Sequence, residues 1–121
     1  NVFIMKKEKI EHSELESLLS DQIRNNLPDE IDRCSTHTYV ESVEVNDNFK
    51  VKINDGIAYV EGTGFIEASH HGDSELDRDV EDQETIYRFK FSLELDIEKG
   101  KMQIINYTPD SIKINPKFGC Y

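Results

Sequence analysis

Basic residues are scarce in this chain of 121 residues: 14 Lys and Arg stand against 25 Asp and Glu, leaving a formal charge of −11. Phosphate backbones are gripped by clustered cations that displace counterions, so this balance opposes direct nucleic-acid binding. It equally opposes docking on anionic membranes. Long apolar runs are missing as well. None approaches the roughly 18–20 residues of a membrane span, and Val2–Met5 is too short for the apolar part of a signal peptide. These absences point to a cytoplasmic protein with no membrane partner. Cysteine is reduced to Cys34 and Cys120, with no Cys-x-x-Cys pair, which excludes zinc-ribbon and thioredoxin-like chemistry. Two buried or half-buried free thiols are expected, because a domain of this size needs no disulfide. No Gly-x-Ser-x-Gly is present, and Gly62-Thr63-Gly64 reads as a bent strand rather than a phosphate cradle. No catalytic residue and no cofactor is expected in this stretch of chain.

What is present suffices for one core. Six Phe and five Tyr each bury roughly 150–250 Å² when inside, and the length fits a single domain spanning 1–121. Position 1 is Asn, which favours a domain excised from a longer chain over a native start at Met5. Residues 1–9 read as a lead-in segment. Ser13-Glu14-Leu15-Glu16 has the Ser-x-x-Glu form of a capping box. After it, Leu15, Leu18, Leu19, Ile23 and Leu27 recur at helical spacing up to Pro28, with Glu14, Ser17, Asp21 and Arg24 on the opposite face. This is an amphipathic helix. Residues 29–36 are polar and turn-like.

Strand patterns follow. Val43 and Val45, then Phe49, Val51 and Ile53, alternate with polar residues across Asn46-Asp47-Asn48; they form either a hairpin or one long bulged strand. Asp55-Gly56 suits a tight hairpin, because such a turn needs positive φ. In the returning strand, 57–69, Gly62 and Gly64 predict a bulge or sharp bend. Tyr87, Phe89, Phe91, Leu93, Leu95 and Ile97 alternate with Arg88, Lys90, Ser92, Glu94, Asp96 and Glu98, so one face is buried and the other wet. Lys101–Tyr107 returns as a strand, and Ile112 with Ile114 adds a short edge. The expected fold class is α+β: one N-terminal helix on a curved antiparallel sheet of four to six strands, cystatin-like or a partly closed barrel.

The most distinctive stretch is 70–84, read as a polar acidic loop. Numbered from Asp73, its carboxylates Asp73, Glu75, Asp77, Asp79, Glu81 and Glu84 match the ligand spacing of an EF-hand loop. Arg78 stands where that loop requires Gly, and the flanks read as strands. A solvated loop therefore leads. Asp73, Glu75, Asp77, Asp79 and Glu84 are the candidate metal ligands, and Asp73, Glu75, Asp77, Asp79, Glu81 and Asp82 the candidate contacts for a basic partner. His70 and His71 point to opposite faces of an extended chain and do not share a metal. Cys34 with His37 would make a thiolate–imidazole pair only in unusual geometry for such near neighbours. Glu61, Glu67 and Glu94 are acid–base candidates only if buried within a curled sheet.

A strand followed by Gly72-Asp73-Ser74, Asp77-Arg78-Asp79 and the aromatic strand Tyr87-Arg88-Phe89-Lys90-Phe91 resembles the β-rich domain found C-terminal to PIN-like ribonuclease domains in bacterial proteins. The likeness covers about residues 57–97. It implies an accessory domain whose nuclease carboxylates lie elsewhere, so it transfers no catalytic residue. Three functions are expected, in this order. First is a non-catalytic accessory or protein-interaction domain of a larger bacterial protein, nuclease-associated as the resemblance implies, its partner a protein or an upstream domain. Second is a free-standing acidic inhibitor or immunity-type protein that binds a basic protein. Third is a small-molecule binder or enzyme using the concave face of the sheet.

Overall fold

The structure, a computed structural model, describes residues 10–35, 37–73, 79–98 and 100–114. Helix α1 (His12–Asn25) precedes a single-turn helix α2 (Asp29–Asp32) and strands β1 (His37–Val45), β2 (Lys50–Asn54), β3 (Ile57–Asp73), β4 (Asp79–Asp96), β5 (Gln103–Ile105) and β6 (Ile112–Ile114). The expected α+β class holds: one main helix lies on a six-stranded antiparallel sheet that does not close into a barrel. The Leu-rich periodicity is why α1 forms and where it points. Leu15, Leu19 and Ile23 are fully buried, in one core with Tyr87, Phe89, Phe91, Leu93 and Leu95 of β4.

The sheet is organised by the long β3–β4 hairpin. β1 pairs with the far half of β3 and β2 with its near half, so the two lie end to end along one strand. Neither the hairpin expected between them nor a continuous strand forms; Asn46–Phe49 separates them. The opposite edge repeats the device. β5 pairs with β4 at Glu94–Asp96 and β6 pairs with it at Phe89–Phe91. The Asp55-Gly56 turn is as expected, with φ of 51° and 78°.

Three local expectations are corrected. No capping box forms at Ser13: α1 begins at His12, two residues before a cap at Ser13 would start it, Glu11 is its N-cap, and no side chain caps it. Glu16 instead accepts from the Val45 backbone N–H at 2.9 Å. Gly62 and Gly64 make no bulge in the β3–β4 register, which shifts only between His70 and Gly72. A Cβ at Gly62 would lie 2.9 Å from the Phe91 ring, and one at Gly64 would strike the Glu44 carbonyl oxygen and Phe89. The glycines leave room for the ring edges of Phe91 and Phe89 and, at Gly64, for the Glu44 carbonyl. Finally, the free-thiol expectation fails for Cys34, which is fully buried and disulfide-bonded. This also removes the proposed pair with His37, which is exposed. The chain's other cysteine, Cys120, lies outside the described residues.

α1 also closes an edge. Unpaired strand edges invite other chains, and among the described residues β1 has no strand on its outer side. Arg24 donates to the carbonyls of Val40 (2.6 Å) and Glu41 (3.2 Å). Near the other end, His12 Nε2 donates to the Val45 carbonyl. That bond raises the His12 pKa above its ordinary value, helped by Glu16 and Asp47 against partial desolvation.

Candidate functional site

Residues 70–73 and 79–84 are strand, not the loop expected from their polarity. β3 runs to Asp73 and β4 starts at Asp79, with Asp73 opposite Asp79, Gly72 opposite Val80 and Ser69 opposite Glu84. Of the candidate metal and partner residues, Asp73, Asp79, Glu81, Asp82 and Glu84 fall on the hairpin arms, while Glu75 and Asp77 lie outside the described residues. In extended backbone, five steps carry Glu84 roughly 17 Å along β4 from Asp79. An EF-hand wraps its loop around one ion; the described part of β4, from Asp79 to Glu84, is extended. Among the described residues, no group of three or more His, Cys, Asp or Glu side chains converges on a metal-sized site.

His70 is fully buried and its ring joins a polar cluster. Nε2 lies 2.8 Å from the Tyr87 hydroxyl, and Nδ1 lies 3.0 Å from Ser35 Oγ and 3.1 Å from Thr38 Oγ1. Burial holds its pKa below the ordinary value, with His71 adding repulsion. A Ser, a His and a Tyr in contact suggest catalysis, but Ser35, His70 and Tyr87 are all closed to solvent. The cluster pins β1, β3 and β4 together. His71 leaves the core for the opposite side and meets Tyr39 edge-on at 5.6 Å.

The acid–base candidates also sit outside the core. Glu61 is exposed, Glu67 accepts from Ser42 at 3.2 Å, and Glu94 accepts from Asn106 at 3.3 Å. All three lie on the sheet face away from α1, which we call the open face. Cross-strand register lays out its rows: Glu67 with Ile86; Glu44, Phe65 and Arg88; Thr63, Lys90 and Lys113; Lys50, Glu61 and Ser92; Lys52, Tyr59 and Glu94.

Two adjoining cavities open on this face. The larger, about 550 Å³, is lined by Asn46, Thr63, Phe65, Arg88, Lys90 and Lys113 among others. No carboxylate contributes to it. The second, about 440 Å³, shares Thr63, Lys90 and Lys113 and adds Lys50, Glu61 and Asp110. Arg88 stands 6.0 Å from the centre of the Phe65 ring, an arrangement that steadies a guanidinium. Asn46 donates to Thr63 Oγ1 at 2.6 Å, leaving the Thr63 O–H as a donor. Lys90 and Lys113 face each other directly across paired strands. These cations were read from the sequence only as the wet side of an alternating strand. Arg88 and Lys90 are two apart and so share a face, but nothing local announces that Lys113 will pair beside them. Comparison with known protein families, with characterised proteins and with solved structures finds no match for this chain.

Proposed function

We propose that this chain is a non-catalytic accessory domain of a larger bacterial protein, and that it binds a protein partner through the open face and the adjoining hairpin arms. The observation that carries the reading is the pair Ile86 and Tyr39. On a face otherwise dominated by charged and hydroxyl side chains they remain 60% and 58% exposed. Phe65 is diagonal to Ile86 across the strands, which makes the apolar area more than a single stray residue. Side chains of α1 cover the β1 edge, so a face contact is favoured over strand addition there. The acidic sequence of the hairpin arms supports a basic partner. The resemblance to domains behind PIN-like ribonuclease domains supports an accessory role in a nuclease-associated protein.

A photo-crosslinking residue at position 86, used in cells on the full-length protein, tests this. The expected result is one discrete adduct that disappears when Tyr39→Arg is added. Diffuse labelling, or the same adduct from position 101 in the exposed turn before β5, contradicts the reading.

The charge of −11 supports a second reading, an acidic inhibitor or immunity-type protein. Such a charge steers association with a basic protein at rates that fall steeply with salt. An association rate insensitive to ionic strength argues against it. No described helix is long and apolar enough to cross a membrane. A cytoplasmic home, which composition favours, requires the Cys34 bond to survive a reducing environment; counting free thiols on protein taken from cells decides that.

A further inference from the structure

We propose that the larger cavity on the open face, between β3, β4 and β6, binds a compact oxyanion carrying two or more negative charges, of the phosphate-ester or polycarboxylate kind. Three observations carry this beyond the protein-partner reading. The first is the sign of the lining. Acids outnumber bases by 25 to 14 in the chain, yet the charged residues of this cavity are Arg88, Lys90 and Lys113 alone. The second is the arrangement. Lys90 and Lys113 oppose each other in register, and like charges directly across a strand pair destabilise it. With so many carboxylates available, the fold brings none between them: no described residue forms an ion pair with Arg88, Lys90 or Lys113. An anion lying across the row would convert that repulsion into attraction. The third is the equipment around the charges. Arg88, held against Phe65, offers a planar fork suited to paired oxygens, while the Thr63 hydroxyl, oriented by Asn46, offers a neutral donor. A cavity of about 550 Å³ has room for a small metabolite. Glu61 and Asp110 close the neighbouring end and set a limit against a long anionic chain.

The test is an NMR titration of the intact chain, following backbone amides, with pyrophosphate, with citrate, and with sodium chloride at matched ionic strength. Saturable shifts centred on Thr63, Phe65, Arg88, Lys90 and Lys113 support the site. Pyrophosphate alone assigns it to phosphate esters, citrate alone to polycarboxylates, and both to polyanions generally. Shifts reproduced by sodium chloride, or absent at millimolar ligand, overturn it. A single-stranded oligonucleotide binding more tightly than pyrophosphate overturns the small-ligand assignment. Arg88→Gln and Lys113→Gln should each weaken binding about tenfold, the scale of one charge-assisted contact. Lys52→Gln, on the same face outside the cavity, should leave it unchanged. If all three variants keep their spectra and weaken binding equally, general charge is responsible and the site is refuted.

Discussion

Along β4, Tyr87, Phe89, Phe91, Leu93 and Leu95 are at most 3% exposed, while Arg88 and Lys90 between them stand in solvent. One side of the strand meets α1 and the other meets nothing described. On the covered side every choice serves packing, down to glycines that leave room for ring edges. Across the open side, choices run against stability, with lysines opposed and large apolar groups left wet. Residues that lower stability without a folding reason mark where a fold has been fitted to another task. That contrast is the ground on which binding is proposed for the open face.

Substitutions can break the comparison. Phe89→Ala removes a ring from the covered side and should cost about 3–5 kcal/mol in urea unfolding. Ile86→Ser, one face over, should stay within about 0.5 kcal/mol. Equal losses would mean that both faces are packed. Gly64→Ala should cost about 1–3 kcal/mol through overpacking, because its methyl meets the Glu44 carbonyl, part of the paired β1 backbone that cannot turn aside. Gly62→Ala should cost less, since its nearest neighbours, Phe49 Cβ and the Phe91 ring edge at 2.9 Å, lie farther off than the Glu44 carbonyl does from a Cβ at Gly64.

Two histidines sharpen the contrast through pH. His70 has a lowered folded pKa, so the unfolded chain takes up its proton first; the stability it gives is full above about 6.5 and drains away as pH falls through the folded value. His12, with a raised pKa, acts oppositely: its contribution is full below about 6.5 and is lost as pH rises through the folded value. Urea midpoints across that range should therefore tilt further toward acid sensitivity in His12→Asn. They should tilt the other way in His70→Gln.

Much of the fold was legible because alternation and helical spacing are local. The Leu15–Leu19–Ile23 stripe, the Asp55-Gly56 turn and the Tyr87–Ile97 rows all follow from near neighbours. What escaped was relational. β1 and β2 sharing one partner depends on the length of β3, and strand character in 70–73 and 79–84 depends on the pairing of β3 with β4. Glu16 looked like a cap because the β1 edge it serves lies 29 residues away in sequence. The cationic cavity escaped for the same reason: Lys113 and Lys90 become neighbours only when β6 folds back on β4.

One of the small expected effects on stability is also the most informative. Lys113→Gln removes one of two opposed charges and should raise unfolding stability by about 0.2–1 kcal/mol while weakening pyrophosphate. Measured on one preparation, urea midpoint and affinity must move in opposite directions if the open face is shaped for a ligand. A lower midpoint, or an affinity left unchanged, would contradict that claim.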